Sequence, residues 1–222
     1  MRFDRWEPIY EEILNDLGFD RFEDEMCVRL LKAVTLNSDL ISDDELGERI
    51  SKTVTVIGNA PCLESDISHD PPEGTVIASG SSVGRLRSLG IRPDIVVTDL
   101  DGEIQPQLEC SAEGATTVIH AHGDNSELVS TYAGSFEGPV VLSTQSVPEN
   151  TVYNFGGFTD GDRAVCIANH FGAVRILLLG FDFTDPMPKE GSSPEIKLRK
   201  LSWAKRIIAS LDDDAIVHPD RG

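Results

Sequence analysis

A chain of 222 residues with 40% hydrophobic content can bury one substantial α/β core with an appendage, which excludes both a disordered chain and a disulfide-stapled mini-protein. Its 38 acidic residues against 19 basic ones give a formal net charge of −19 spread along the chain, a surface that repels nucleic acid and anionic membranes. The cysteines Cys27, Cys62, Cys110 and Cys166 are too far apart in sequence for a zinc knuckle or a disulfide framework and read as reduced.

No run of eighteen apolar residues occurs. The start, Met1-Arg2-Phe3-Asp4-Arg5-Trp6-Glu7, is charged where a signal peptide would turn apolar, so a soluble, cytoplasmic protein is expected. The acidic excess beside only six lysines points to a halophilic source, since salt screens such self-repulsion.

Residues 1–50 read as a small helical N-terminal region. Trp6, Ile9, Ile13, Leu14 and Leu17 follow one helical stripe, and Met26, Leu30, Leu31 and Val34 another. Ser42-Asp43-Asp44-Glu45 has the spacing of a capping box for a third, short helix. Residues 51–222 change character. Strands are predicted over 53–57, 75–78, 95–98, 116–119, 140–143 and 176–179, and helices over 82–89, 105–113, 127–132, 162–171 and 195–211. Such alternation implies an α/β domain built on a mostly parallel, Rossmann-like sheet with helices on both faces. Residues 184–194, rich in Pro, Gly and Ser, read as a lid.

Open α/β sheets bind ligands at the carboxyl ends of their strands, so the strand exits carry the functional signal. The sharpest is Ile95-Val96-Val97-Thr98-Asp99-Leu100-Asp101-Gly102, a buried strand ending in two carboxylates. Residues two apart on extended chain point the same way, so Asp99 and Asp101 converge, and like charges that close call for a cation of the magnesium type. Taken alone, a solvated Asp-Gly turn fits as well. The other exits are Gly58-Asn59-Ala60-Pro61, Ser79-Gly80-Ser81-Ser82, His120-Ala121-His122-Gly123-Asp124-Asn125, Thr144-Gln145-Ser146 and Gly180-Phe181-Asp182-Phe183. His-x-His also marks barrel-type metal hydrolases, but the chain has too few strand-helix units for a barrel. Asp124 is the better candidate, as a second carboxylate source facing Asp99 and Asp101. In Asn154-Phe155-Gly156-Gly157-Phe158-Thr159-Asp160-Gly161-Asp162-Arg163, a helix start with Thr159 or Asp160 as N-cap and an arginine fork suit phosphate and metal. Phe155 and Phe158 can stack on a flat heterocycle or pack locally. Lys197, Arg199 and Lys200 form a local basic group in an acidic chain.

Together these motifs resemble the archaeal 6-hydroxymethyl-7,8-dihydropterin pyrophosphokinase family, whose catalytic domain is similar to that of thiamin pyrophosphokinase. The resemblance covers most of the chain from about residue 50, with the 180–183 segment weaker and Cys62 replacing an expected small hydroxyl residue. It implies transfer of the β,γ-diphosphoryl group of ATP to the pterin hydroxymethyl, releasing AMP, in tetrahydropterin or folate-type cofactor synthesis. The site expected on these grounds has Asp99, Asp101, Asp124 and His122 as catalytic residues and Mg2+ on Asp99, Asp101, Asp124 and Asp160. Gly58, Asn59, Gly80, Arg163, Lys197 and Lys200 are expected at the ATP phosphates, and Gln145, Phe155, Phe158 and Asp182 at the reduced pterin. The general base is not singled out, and a homo-oligomer is compatible with the sequence without being fixed by it. Two alternatives stay open: a metal-dependent nucleotide-sugar transferase of a glycosylation pathway, and a non-catalytic nucleotide-binding module.

Overall fold

A computed structural model describes residues 1–185, 187, 193–211 and 214–219. In chain order the elements are α1 (Phe3–Leu17), α2 (Arg21–Val34), β1 (Asp39–Leu40), α3 (Asp43–Glu48), β2 (Thr53–Ile57), α4 (Leu63–His69), β3 (Thr75–Ser79), α5 (Val83–Ser88) and β4 (Ile95–Thr98). They continue as α6 (Ile104–Ala112), β5 (Thr116–Ala121), α7 (Ser126–Tyr132), β6 (Pro139–Thr144), β7 (Val152–Tyr153), α8 (Asp160–His170), β8 (Arg175–Leu179), α9 (Pro194–Ser210) and β9 (Ile216–Val217). One sheet joins them in the order β1-β6-β5-β4-β3-β2-β8-β9, with β7 also on β6. The strand pairings are parallel throughout.

The β-branched runs are buried on both faces, as parallel strands covered by helices must be. Side chains alternate between the faces. Val54, Val56, Ile95 and Val97 meet Trp6, Tyr10 and Ile13 of α1, Val165 and Ile167 of α8 and Trp203 and Ile207 of α9. On the opposite face, Ile57, Ala78 and Val96 meet Leu63 of α4, Val83 and Leu86 of α5 and Cys110 of α6. Farther along that face, Ile119 and Leu142 meet Cys27, Val28 and Leu31 of α2 and Val129 of α7. Each such aliphatic side chain contributes about 1.5–3 kcal/mol on burial.

From β2 to β6 the chain steps one way across the sheet. It then returns through α8 on the other face to set β8 against the far side of β2. Helices therefore cover both faces, as expected from the alternation. The capping box on α3 is present, with Ser42 N donating to Glu45 Oε2 at 2.9 Å and Glu45 N to Ser42 Oγ at 3.2 Å.

The structure adds α4, β7 and β9, which no periodicity announced, and it draws the N-terminal region into the sheet. Asp39 and Leu40 pair with Pro139 and Val140, while α1 shares the core of α8 and α9. The expected lid over 184–194 falls largely on residues outside the described ones. Among the described residues no helix is long and apolar enough to cross a membrane.

Candidate functional site

The exit of β4 does not run on as extended chain. Leu100 has φ +67° and its side chain is 1% exposed, buried with the α2 and α7 cluster, while Gly102 has φ +88°. Asp99 and Asp101 thus share an edge because the chain coils, and not because residues two apart on extended chain point the same way. Thr98 Oγ1 accepts from Leu100 N at 2.8 Å and Asp99 Oδ1 from Asp101 N at 3.1 Å, which holds the turn. A left-handed leucine costs on the order of 1 kcal/mol or more, strain of the kind that collects at functional sites.

Three elements bring charge to this turn. From the exit of β5, His122 Nε2 stands 3.6 Å from Asp99 Oδ2. From α9, the Lys200 ammonium lies 5.7 Å from the Phe19 ring centre and 5.8 Å from that of Phe158, with its charge acting on Asp99. From the start of α8, Asp160 faces Asp99, Asp101 and the Gly80 N–H. Burial works to raise the Asp99 pKa, but His122, the Asp101 N–H and Lys200 outweigh it and hold this carboxyl below the usual range. Asp160 goes the other way. Burial, then the facing Asp99 and Asp101, push it well above the usual carboxylate value against the opposing Arg163.

Beneath lies a buried layer. Arg163 is 2% exposed and turned inward, with Nη1 3.5 Å from Gly156 O, Nη2 3.3 Å from Phe158 O and Nε without a hydrogen-bond partner among the described residues. Its charge opposes protonation of buried His120, whose pKa is driven well below its usual value first by burial and then by Arg163 and His122. The glycine pair serves the chain itself: a Cβ on Gly157, at φ +93°, would stand 2.4 Å from Arg163 Cα. Thr159 is the N-cap of α8, and Asp162 accepts from Phe158 N at 2.7 Å and Thr159 N at 2.8 Å.

The other expected residues scatter. Gly58 and Asn59 shape the β2 exit: a Cβ on Gly58 would stand 2.6 Å from Gly180 O, and Asn59 Oδ1 accepts from Arg85 Nη1 at 2.9 Å. Phe155 leaves the substrate set, being 3% exposed and packed between Tyr153, His170 and Phe171 in the core. Gln145 is likewise buried, its Nε2 donating to Asp24 Oδ2 at 2.8 Å. Asp182 closes its own turn by accepting from Thr184 N at 2.8 Å, and lines a separate groove with Phe183, Lys205 and His218. Lys197 donates to the Met187 carbonyl. Asp124 is exposed and lines a small hollow with Phe19, Glu23 and Asp24.

Sequence reasoning missed Asp24, Asn125 and Phe19. Asn125 Nδ2 donates to Asp99 O at 2.8 Å and His120 O at 2.7 Å, tying together the exits of β4 and β5. Its adjacency to Asp124 was the one signal that could have found it, whereas Asp24 and Phe19 lie about a hundred residues away.

Among the described residues no three carboxylate, imidazole or thiol groups already surround one point as a metal cage. Asp160, its proton affinity raised by Asp99 and Asp101 beside it, completes a carboxylate group that fits a cation keeping waters and phosphate oxygens, since magnesium is usually held by one or two carboxylates plus substrate phosphates.

Comparison with known proteins places these features in a family context. The family model described as 6-hydroxymethylpterin diphosphokinase MptE-like matches residues 30–187. A Pyrococcus furiosus protein named 6-hydroxymethyl-7,8-dihydropterin pyrophosphokinase is 39% identical over 226 residues, 96% of each chain. Proteins of the same name from Methanothermobacter thermautotrophicus and Methanocaldococcus jannaschii are 34% and 33% identical, covering 97% and 96% of this chain and 97% of each relative.

Proposed function

The chain belongs to the 6-hydroxymethylpterin diphosphokinase MptE-like family, and from that premise we propose how its sheet edge moves the β,γ-diphosphoryl group of ATP to the hydroxymethyl of 6-hydroxymethyl-7,8-dihydropterin, releasing AMP. The observation that carries the reading is Asp99, set between His122 Nε2 at 3.6 Å and the Lys200 charge, opposite Asp160 at the start of α8. Asp99, Asp101 and Asp160 would hold a magnesium ion, which when bound neutralises charge developing on the phosphate oxygens.

The chain's own groups do the rest. Lys200 and the free N–H groups at the start of α8 bind the anionic phosphates. Arg163 contributes as a buried positive charge behind Asp160 and not as an exposed fork. His122 receives the hydroxymethyl proton on Nε2, and the Asp99 carboxylate 3.6 Å away stabilises the imidazolium so formed. Phe19 and Phe158, their rings 6.4 Å apart beside Lys200, offer apolar surface to the pterin. Alignment of hydroxyl and β-phosphorus, more than covalent chemistry, then supplies the acceleration.

Incubating the protein with ATP, magnesium and the reduced hydroxymethylpterin should yield AMP and the pterin diphosphate in equal amounts. ADP formation, or no turnover, would overturn the reading. A nucleoside diphosphate released from a sugar donor would point to the transferase instead.

A further inference from the structure

We propose that Asp24, on α2, is a positioning residue for this transfer: it fixes the turn that aims His122 at Asp99, making the N-terminal helices part of the catalytic unit. The inference rests on the reading above, in which His122 and Asp99 serve the reaction.

Asp24 is 3% exposed, and a buried carboxylate is costly unless its oxygens are hydrogen-bonded. It accepts three hydrogen bonds from three separate parts of the chain: Gly123 N to Oδ1 at 2.7 Å, and Tyr10 Oη at 2.6 Å and Gln145 Nε2 at 2.8 Å, both to Oδ2. A structural anchor between α1 and α2 needs only the Tyr10 bond. The bond to Gly123 reaches across to the residue directly after His122.

That turn is pinned from its other end as well. Asn125 Oδ1 accepts from His122 N at 3.0 Å and from Cys27 Sγ, one turn beyond Asp24 on α2, at 3.4 Å. Asn125 Nδ2 ties the same turn to Asp99 O at 2.8 Å. The glycine is an independent sign of this docking. A Cβ on Gly123 would stand 2.7 Å from Glu23 Cβ, so the turn lies directly against α2 and only glycine allows the approach. Asp24 and Cys27 thus clamp both ends of the turn, and the imidazole of His122, the residue before Gly123, faces Asp99 at 3.6 Å.

A group that acts by aligning reacting atoms lowers kcat when lost and leaves ground-state binding nearly untouched. Asp24→Asn keeps the size and puts an amide where two donors converge. It should lower kcat by about 10–100-fold, the range for a residue that orients a functional group, with KM for ATP within about threefold. Tyr10→Phe removes a hydrogen bond from the same carboxylate without touching the turn, and should lower the melting temperature while leaving kcat within about threefold. Gly123→Ala attacks the docking from the turn's side, and should reproduce the kcat loss should Asp24→Asn fail to fold. Wild-type kcat in folded Asp24→Asn, or in Gly123→Ala should Asp24→Asn fail to fold, would overturn the inference, as would equal kcat losses in Asp24→Asn and Tyr10→Phe. Either result with an active wild-type enzyme sinks only the role of Asp24, whereas an inactive wild type sinks the functional reading beneath it.

Discussion

The exits of β2 and β8 and the exits of β4 and β5 stand at the same edge of one sheet, yet they are built differently. At β2 and β8 the chain packs backbone on backbone: Ala60 N donates to Gly180 O at 2.9 Å, and a Cβ on either Gly58 or Gly180 would stand 2.6 Å from the other's carbonyl oxygen. At β4 and β5 the backbone is held by side chains, Thr98, Asp99 and Asn125, and the ionisable groups are left facing one another. A glycine-rich exit and an acidic exit read alike in sequence as ligand loops. The structure separates a packing joint from a cluster of facing ionisable side chains.

Breaking the chemical region should have the largest effect. Asp101→Asn should lower AMP formation by about a thousandfold, as loss of one charge-stabilising group can, while the melting temperature stays near wild type because Asp101 is exposed. Wild-type turnover in that variant would remove Asp101 from the site. The packing joint should respond in the opposite way. Gly180→Ala adds a Cβ at φ +69° against Gly58 O, so it should cost about 1–3 kcal/mol of stability while kcat per folded molecule changes little. A large kcat loss with unchanged melting would show that this exit also touches substrate.

The smallest effect concerns the layer under the charged exits. The folded-state pKa of His120 lies well below the ordinary 6.5. As pH falls from 6.5 toward that folded value, the unfolded chain takes up a proton that the folded chain refuses, and stability drops by at most about 1.4 kcal/mol per pH unit from this group. Above 6.5 the contribution is constant. His120→Asn should flatten the melting temperature between pH 7 and 5 relative to wild type, and an unchanged slope would mean that His120 takes up its proton equally in the folded and unfolded chain.

Much of this architecture was legible because it is local. The strands 53–57 and 95–98 were read to the residue from their β-branched runs, and the capping box at Ser42 from four letters. Helix α4, seven residues long, and the two-residue strands β1, β7 and β9 carry too little pattern to be read; pairing with neighbours makes them. In the proposed site, Asp99, Asp101, His122, Asp160 and Lys200 stand out in the sequence as strand ends, a helix start and a basic group. Phe155 and Gln145 were misread because burial comes from tertiary contacts, and both lie inside. Asp24 was invisible, since nothing near it in sequence announces a partner at Gly123.

The most direct test of the charged exits is metal affinity. With a non-hydrolysable ATP analogue bound, Mn2+ can be titrated into wild type and Asp160→Asn and followed by its electron paramagnetic resonance signal. Mn2+ should bind more weakly by about tenfold or more in Asp160→Asn with the fold retained, if Asp160 holds the metal. Equal affinity in the two proteins would contradict it.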